Sequence, residues 1–228
     1  MAAAPRLRPS TREEEALWAS GRRFVAGVDE VGRGPLAGPV YAAAVVLDSC
    51  ARPAWLEDVR DSKVLPAPER ERLAELIRAE SLAWGLGWAS VAEIDGWGIT
   101  LANRMAMFRA LASLRVAPHF VLIDGPSGIK TPHPQKAIVD GDATCASIAA
   151  ASIVAKVARD AIMCQMDDVY PQYGFANHKG YATRDHLDRL AQYGASPQHR
   201  RSWPRVQLAA RGPVPERLPD RGQPDAPK

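Results

Sequence analysis

The amino-acid sequence predicts an α/β fold, in which helices pack against a β-sheet, from three observations. Short apolar segments that end at acidic residues or glycine, such as 119–125, are typical of buried strands. Longer segments with apolar residues three and four positions apart indicate amphipathic helices. The segment 143–166 is apolar on almost every side in its first half, as expected for a helix at the centre of a domain. With 228 residues, the chain can bury the core of one such domain.

Strands are predicted where short apolar stretches lie between turn-forming residues. They cover 23–31, 40–47, 82–90, 119–125 and 136–142. A loop rich in glycine and proline joins the first two strands. Glycines within the third strand predict β-bulges, because glycine inside a strand often marks one.

Helices are predicted before, between and after these strands. They cover 10–18, 67–80, 99–115, 143–166 and 183–194. Ser10 and Thr11 each precede a glutamate by three residues, which is the capping-box pattern of a helix N-terminus. The stripe expected to face the core in the helix 99–115 consists of Leu101, Met105, Phe108 and Ala112. Gly194 is the expected C′ residue of the last helix.

Composition argues against a membrane-spanning protein and indicates a reducing compartment. No apolar run approaches the roughly 18 residues that a membrane-spanning helix needs, and the N-terminal sequence lacks a signal-peptide pattern. Cys50, Cys145 and Cys164 are odd in number and widely spaced, so we expect reduced core thiols in a cytoplasmic protein rather than a zinc site or disulfides. From His199 onward seven basic residues outnumber three acidic ones, which is compatible with a polyanionic partner.

Acidic residues at three predicted strand ends are the first sign of a catalytic site. Asp29 and Glu30 are adjacent in an apolar strand, and Asp124 and Asp142 end two later strands. An Asp-Gly sequence alone commonly marks a turn, so turns remain the alternative for the two later acids. Buried carboxylates, however, are rarely ionised unless they are paired or bind metal. Oxygen ligands favour Mg²⁺ or Mn²⁺ over zinc, and two such ions about 3.5–4 Å apart catalyse in-line displacement at phosphorus.

The Gly32-Arg33-Gly34 sequence directly after the acidic pair is a second candidate for the site. It matches neither a dinucleotide-binding pattern nor a P-loop. Glycine leaves backbone N–H and C=O groups open to close approach by a ligand. A tight loop between two strands is the alternative interpretation of the same residues.

Five motifs, in this order along the chain, resemble those of bacterial ribonuclease HII. They are GVDEVGRGPLAGPV at 27–40, DSK at 61–63, LIDG at 122–125, SIAAASIVAKVARD at 147–160 and QYGFANHKGYAT at 172–183. The resemblance extends from about Phe24 to Val206. Five separate motifs in one order argue against a chance match.

The resemblance implies an RNase H-like fold, with a mixed β-sheet flanked by helices and a helical C-terminal portion. It also implies metal-dependent endonucleolytic cleavage of RNA in RNA–DNA hybrids and at single ribonucleotides embedded in duplex DNA, with Mn²⁺ or Mg²⁺ as the cofactor. The four catalytic and metal-binding acids of the family fall on Asp29, Glu30, Asp124 and Asp142. The Asp140-Gly141-Asp142 sequence departs from the Lys-Gly-Asp of the family, and Asp142 is assigned because it keeps the spacing to the following helix.

The resemblance further implies which residues bind substrate. The Gly32-Arg33-Gly34 loop would contact the 2′-OH and the adjacent phosphate of the ribonucleotide, since the 2′-OH distinguishes RNA from DNA at one position. Tyr181 would pack against the neighbouring deoxyribose. The residues assigned to phosphate contacts are Lys63, Lys156, Lys179 and Arg184. The expected partners are RNA–DNA hybrids and duplex DNA containing ribonucleotides, bound by a monomer that does not associate with a membrane.

Two alternative functions remain open at this point. Another RNase H-like nuclease, such as a junction resolvase, would share the carboxylates but would have no use for a sugar-reading loop or for Tyr181. A hybrid-binding module without catalysis would be expected to lack at least one of the four acids. His178 is open between a structural role and a role in substrate binding. The predicted domains are an N-terminal extension with a short helix (1–20), the catalytic domain (21–210) and a disordered Pro/Arg-rich tail (211–228).

Overall fold

The computed structural model describes residues 8–209, and residues 1–7 and 210–228 lie outside the described part. The predicted tail at 211–228 and the first residues of the predicted N-terminal extension therefore lie outside it as well. The described chain forms two compact units. Unit 1 contains the residues up to Val31, Val40–Ala89 and Asn103–Ala158, and unit 2 contains Gly32–Pro39, Ser90–Ala102 and the residues from Arg159 onward.

Strands and helices are numbered along the chain. The strands are β1 (Phe24–Val31), β2 (Val40–Asp48), β3 (Ala83–Ala89), β4 (Phe120–Asp124) and β5 (Gln135–Ile138). The α-helices within residues 8–209 are α1 (Arg12–Ala19), α2 (Ala67–Glu80), α3 (Val91–Trp97), α4 (Ile99–Ala112), α5 (Gly141–Thr144), α6 (Ala146–Val169), α7 (Phe175–His178), α8 (Arg184–Tyr193) and α9 (Pro204–Ala209). Short 3₁₀ turns occupy Ala54–Glu57 and Pro171–Tyr173. Every strand and helix predicted from the sequence is present, but the end of the strand predicted at 136–142 is wrong. β5 stops at Ile138, and Asp142 lies in α5 rather than at a strand end. The helices α3, α5, α7 and α9 were not predicted.

Unit 1 is built on a five-stranded mixed sheet with the strand order β3-β2-β1-β4-β5. β2 runs antiparallel to both of its neighbours, β1 and β3. β4 runs parallel to β1 and β5. The mixed sheet implied by the resemblance is therefore confirmed. Five of the eight residues of β1 and eight of the nine residues of β2 are buried, which explains why the two strands are mostly apolar rather than alternating.

The register between β1 and β4 places the acidic ends of these strands side by side. Residues 25–28 of β1 pair in parallel with residues 120–123 of β4. Asp29 and Asp124 are the next residues on the two strands, and Glu30 follows Asp29. Because parallel strands present their carboxyl ends at the same edge of a sheet, acids from distant parts of the sequence meet there.

The helices α2 and α6 supply most of the core of unit 1. The buried residues from α2 and β2 are Leu73, Ala74, Ile77, Ala43, Val45 and Leu47, and those from α6 are Ala149, Ala150, Ala151, Ile153, Val154 and Ala155. Leu17 and Trp18 of α1 pack against a second cluster, which contains Val25 and Leu122. The capping box predicted for α1 is not formed, since the Thr11 hydroxyl donates to the side chain of Glu15 instead.

Two expectations for β3 and α4 are wrong, and one contact within unit 1 explains both. The pairing of β3 with β2 is continuous, so its glycines do not mark bulges. Gly85 and Gly87 instead leave room for α4, because a Cβ at Gly87 would lie only 2.2 Å from the carbonyl oxygen of Ala106. The buried face of α4 in unit 1 consists of Ala106, Met107, Ala110 and Leu111, whereas the predicted Leu101 and Phe108 are exposed.

Unit 2 is mainly helical, which confirms the helical C-terminal portion implied by the resemblance. Its buried residues form two clusters. One contains Ala37, Met163, Tyr173 and Phe175, and the other contains Leu36, Leu190 and Val206. The loop 32–39 is tied to the helical part by the N–H of Leu36, which donates to the carbonyl of Gly180 at 2.8 Å. Gly194 ends α8 with a φ of +71°, as predicted.

The cysteines agree with the compositional expectation only in part. Cys50, Cys145 and Cys164 are free thiols, but Cys145 alone of the three is buried. The expectation of core thiols is wrong for Cys50 and Cys164, because Cys50 lies in the turn after β2 and Cys164 lies on an exposed part of α6. Within residues 8–209, none of the helices combines the length and the apolar character of a membrane span.

Candidate active site

The carboxylates of Asp29, Glu30 and Asp124 form a compact cluster at the ends of β1 and β4. One ligand oxygen from each lies within 4.8 Å of the other two. Asp29 is only 4% exposed, whereas Glu30 and Asp124 are half-buried. Adjacent residues of a regular strand face opposite sides of the sheet. Asp29 and Glu30 nevertheless converge at the end of β1, where the N–H of Glu30 donates to Oδ1 of Asp29 at 2.7 Å.

Burial dominates the electrostatics of Asp29. Its pKa is raised well above the ordinary value by burial first, and then by the negative charges of Glu30 and Asp124. The Ser152 hydroxyl donates to Asp29 and opposes this rise. Since Ser152 has one hydroxyl proton, Ser62, whose oxygen is 2.9 Å away, donates to Ser152. These two hydroxyls hold the Asp29 carboxylate in place, but they do not remove the electrostatic repulsion among the three acids.

Asp142 lies beside this cluster, outside the group of three, and has a cationic partner of its own. It follows a turn at Asp140, whose φ of +53° is left-handed, and the N–H of Gly141 donates to Oδ1 of Asp124 at 2.7 Å. Oδ2 of Asp142 is 2.8 Å from Nζ of Lys63, and this contact raises the pKa of Lys63 to about 12. The pKa of Asp124 is raised by burial and then by the charge of Asp142. Asp140, the departure from the family motif, is exposed.

Lys63→Met is expected to lower the thermal midpoint of the protein in EDTA and to enlarge the rise produced by Mn²⁺. The reason is that the change removes the cation closest to Asp142, so more repulsion remains for a divalent ion to relieve. The effect is moderated by solvent, since the Lys63 side chain is 75% exposed. Lys136→Met is the matched control, because Lys136 pairs with Glu13 at 2.7 Å elsewhere in unit 1. An equal Mn²⁺ response in both variants would contradict the prediction.

The donor set fits a hard divalent cation. Carboxylate oxygens are the ligands that Mg²⁺ and Mn²⁺ prefer. A cation at this cluster would also favour the ionised forms of Asp29 and Asp124, whose pKa values are raised first by burial. Asp29, Glu30 and Asp124 are therefore the residues that would hold such an ion, with Asp142 adjacent to them.

The loop Gly32–Gly34 belongs to unit 2, where a buried arginine lies against it. Gly32 has a φ of +93°, and a Cβ there would lie 2.2 Å from Nε of Arg159. Arg159 is fully buried and donates to the carbonyls of Pro39 at 3.0 Å and Ala37 at 3.2 Å. Glycine at position 32 is thus required by the conformation and packing of the unit itself.

Gly34 lies beside Tyr181, and its surroundings differ from those of Gly32. Gly34 is not among the glycines with positive φ, and the nearest described heavy atom to a Cβ there would be Cε1 of Tyr181, 4.0 Å away. The side chain of Tyr181 is 40% exposed. Packing within unit 2 therefore does not explain why position 34 is glycine, and the space beside the tyrosine ring is open.

The other residues assigned to phosphate contacts have varied surroundings. Lys156 is half-buried in unit 1. In unit 2, Nζ of Lys179 donates to the carbonyl of Ala176 at 2.6 Å, and the 89% exposed side chain of Arg184 pairs with Asp188 at 2.9 Å. Lys63 contacts Asp142 in unit 1, as described above. The role of all four in phosphate binding stays a prediction.

Buried histidines in unit 2, which sequence reasoning missed, hold the backbone of Tyr181. His199 accepts the N–H of Ser196 at Nδ1, so its Nε2 carries the proton and donates to Nε2 of His186, 3.0 Å away. Nδ1 of His186 then donates to the carbonyl of Tyr181 at 2.8 Å. One tautomer of each ring therefore satisfies the whole chain of bonds.

His178 has a structural role in the same unit. Its Nε2 donates to the carbonyl of Tyr173 at 2.8 Å, and its Nδ1 accepts the N–H of Gly180 at 3.1 Å. Its ring stacks on that of His186 with centroids 4.2 Å apart. Burial lowers the pKa of His178, and the bond to the carbonyl of Tyr173 opposes this shift.

Comparison with known proteins agrees with this fold. A sequence model of the family described as Ribonuclease HII matches residues 26–206. Ribonuclease HII of Desulfitobacterium hafniense (strain DSM 10664 / DCB-2) is 49% identical over 204 residues, which are 90% of this chain and 77% of that protein. The crystal structure of ribonuclease H2 from Pyrococcus horikoshii OT3 superposes with a TM-score of 0.73 at 27% identity, over 82% of this chain and 97% of that one. RNase HII from Archaeoglobus fulgidus, solved in a complex with PCNA, has a TM-score of 0.61 at 27% identity, over 73% and 85% of the two chains.

A mixed sheet whose neighbouring parallel strands end in clustered carboxylates defines a divalent-metal-dependent nuclease of the RNase H-like class. The sequence match covers most of the chain and includes all four candidate acids. The chain belongs to the ribonuclease HII family. It is thus a ribonuclease H, an endonuclease that degrades the RNA strand of RNA–DNA hybrids.

Proposed function

We propose that this enzyme also cuts duplex DNA on the 5′ side of an embedded ribonucleotide and leaves 3′-OH and 5′-phosphate ends. The observation that carries the proposal is the cluster of Asp29, Glu30 and Asp124, whose ligand oxygens lie within 4.8 Å of one another. Mg²⁺ or Mn²⁺, when bound there, supplies Lewis-acid activation of water and of the phosphate. Attack of water on phosphorus, with cleavage of the P–O3′ bond and protonation of the departing O3′, leaves the 3′-OH and 5′-phosphate ends.

The acids have distinct roles in this proposal. Asp29, Glu30 and Asp124 hold the metal, and Ser62 and Ser152 hold the Asp29 carboxylate in its orientation. Asp142 would complete the site by helping to hold a second ion in place of its contact with Lys63. This role is supported by the position of Asp142 beside Asp124, whose pKa its charge raises.

The proposed reader of the ribonucleotide is the loop Gly32-Arg33-Gly34 together with Tyr181. The loop would bind the 2′-OH and the adjacent phosphate through backbone groups, and Tyr181 would pack on the next deoxyribose, where a missing hydroxyl leaves room for the ring. The open space beside Gly34 supports this role, because glycine there is not required by the fold. Lys63, Lys156, Lys179 and Arg184 are proposed to contact phosphates.

The test of the proposed reaction is cleavage of a duplex that contains one ribonucleotide, with Mg²⁺ or Mn²⁺ and the cut position mapped at nucleotide resolution. We expect a single cut on the 5′ side of the ribonucleotide, no cut in the all-DNA duplex, and no cut in an all-DNA four-way junction. Cleavage of the junction, or cuts that ignore the ribonucleotide in the duplex, would favour a resolvase-type nuclease and overturn the proposal.

Gly34→Ala is expected to lower kcat/KM on the single-ribonucleotide duplex by about 100-fold or more. A methyl group would occupy the space proposed for the sugar and displace the reacting phosphate, and misplacement by about 1 Å costs that much. Because no described atom lies closer than 4.0 Å to the new methyl, the thermal midpoint should barely change. Gly96→Ala is the matched control, since Gly96 is in the same unit with nothing within 4 Å of its Cβ. Equal activity of the two variants would refute the sugar-reading role.

We also propose that the enzyme acts as a monomer in the cytoplasm. The free thiols Cys50, Cys145 and Cys164 suit a reducing compartment. Light scattering of the purified protein should give a mass near that of one chain, 24.7 kDa. A stable dimer mass at micromolar concentration would contradict the monomer.

A further inference from the structure

Arg200 is a fully buried arginine in unit 2 that donates to the loop proposed to read the ribonucleotide. Its Nη1 is 2.8 Å from the carbonyl oxygen of Arg33, and its Nη2 binds the carbonyl of Gly32. Nε and Nη2 also bind the carbonyl of Gly38, at 3.0 Å and 2.9 Å. The main-chain N–H of Arg200 donates to the carbonyl of Leu36 at 2.8 Å. One residue thus binds four carbonyls of the segment 32–38.

Such burial is costly and calls for an explanation. A guanidinium group loses hydration on burial, and the loss is offset here by charge-assisted bonds to the backbone. Burial, followed by the positive charge of Arg159, lowers the pKa of Arg200 to about 9, so the group still carries its charge near neutral pH. A less costly apolar residue would fill the same space, which indicates that the bonds to the loop are what Arg200 provides.

The bonds from Arg200 to the carbonyls of Gly32 and Arg33 also determine where the N–H group of the next residue in each peptide points. A trans peptide is planar, so its C=O and the N–H of the next residue point in opposite directions. The carbonyls of Gly32 and Arg33 point toward Arg200. The N–H groups of Arg33 and Gly34 must therefore point away from Arg200, and both of these residues are exposed.

We propose that Arg200 is a positioning residue that orients the N–H groups of Arg33 and Gly34 toward the ribonucleotide, and that discrimination between ribose and deoxyribose depends on it. The inference rests on the proposed function of the Gly32–Gly34 loop. The planar fork of arginine reaches three separated carbonyls at once, which the single ammonium of lysine cannot do. Charge alone is therefore not sufficient at position 200.

The experiment measures binding of two duplexes of one sequence, one all-DNA and one with a single ribonucleotide, with Ca²⁺ replacing Mg²⁺ to prevent cleavage. The quantity compared is the ratio of the two dissociation constants. In the wild type we expect the ribonucleotide duplex to bind more tightly. In Arg200→Lys and Arg200→Gln this ratio should fall at least about fivefold toward one, while affinity for the all-DNA duplex changes little. A merely structural role would weaken binding of both duplexes alike.

Val206→Ala is the control for lost stability in the same unit, because it removes buried volume without removing a bond to Gly32 or Arg33. It should keep the wild-type ratio. Wild-type discrimination that persists in folded Arg200→Lys would overturn the role of Arg200. Absence of discrimination in the wild type would instead refute the proposed function of the loop, so the two failures can be told apart.

A measurement on the wild type tests the part of the proposal that concerns the N–H groups of Arg33 and Gly34, even if the Arg200 variants do not fold. Amide NMR signals of Arg33 and Gly34 should shift on binding the ribonucleotide duplex and respond less to the all-DNA duplex. Signals of both amides that respond equally to the two duplexes would show that these N–H groups do not read the 2′-OH, and would overturn the proposal.

Discussion

Asp29→Asn is expected to reduce cleavage by at least about 10³-fold and, in EDTA, to raise the thermal midpoint of the protein. The loss of activity follows because a metal ligand is removed, and metal catalysis supplies several kcal/mol of transition-state stabilisation. The gain in stability follows because a buried carboxylate is replaced by a neutral group of the same shape. The pKa of Asp29 is raised by burial, then by Glu30 and Asp124, so its ionised form destabilises the metal-free protein at neutral pH.

The sign of this effect can be worked out from the pKa shift. When the folded pKa of an acid lies above its unfolded value of about 3.9, the folded state binds more protons, and stability falls as pH rises through this range. The asparagine side chain of the variant carries no charge and escapes this loss. We expect a gain on the order of 1 kcal/mol, or about 2–4 °C in a chain of this size. Differential scanning calorimetry in EDTA and in Mn²⁺ measures it, and the Mn²⁺-induced rise should shrink in the variant.

The control is Asp140→Asn, which removes a nearby acid that is exposed and has a left-handed φ of +53° that asparagine tolerates. It should keep activity and midpoint close to those of the wild type. Two results would contradict the assignment of Asp29. One is turnover of Asp29→Asn within tenfold of the wild type, and the other is a lower midpoint in EDTA.

The sheet and the acidic cluster could be predicted from the sequence because both depend on local pattern and topology. The apolar segments at 23–31 and 119–125 identify two strands, and each carries an acid within two residues of its end. Once these strands are parallel neighbours, their ends must meet at one edge. Asp142 was assigned by its spacing to the next helix, but its contact with Lys63 could not be anticipated, since the two residues are distant in sequence.

The packing of α4 and the bonds that fix the substrate loop could not be predicted in the same way. Periodicity identified α4 as a helix but selected the wrong face as buried, because Gly85 and Gly87 of β3 lie against the backbone of Ala106 and Ala110. Arg159 and Arg200 donate to main-chain carbonyls of the loop, and a carbonyl has no sequence signature. Charged residues are ordinarily exposed, so composition predicts the opposite of what these two arginines do.

The second large expected effect is a loss of stability in acid. His186 and His199 of unit 2 can form their chain of hydrogen bonds to the carbonyl of Tyr181 only when both rings are neutral. Burial lowers the pKa of His186 to about 4, and burial together with the charge of His186 lowers the pKa of His199 to about 3. Protonation of both rings would place two donors, Nε2 of His186 and Nε2 of His199, against each other at 3.0 Å. A base whose folded pKa lies below its unfolded value of about 6.5 stabilises the protein above pH 6.5, and this contribution is lost as pH falls toward the folded value.

We therefore expect the free energy of unfolding to fall by roughly 2 kcal/mol for each of these two histidines between pH 7.5 and pH 5, since each pH unit below 6.5 costs about 1.4 kcal/mol per proton. Urea unfolding followed by tryptophan fluorescence at each pH measures this loss. Asp29 and Glu14 act in the opposite direction, because their pKa values are raised mainly by burial. The slope of the unfolding free energy against pH therefore contains contributions from both the histidines and these acids, and a variant is needed to separate them.

His199→Gln isolates the histidine contribution, because glutamine offers an amide N–H in place of Nε2–H but does not titrate. Relative to the wild type, its stability should decline less steeply between pH 6.5 and pH 5, by about 1.4 kcal/mol per pH unit, the slope of one proton. The acids are common to both proteins and cancel in this difference. If His199→Gln and the wild type lose stability in parallel, the histidine chain is not what makes unit 2 sensitive to acid, and the carbonyl of Tyr181 must be held in place by other contacts.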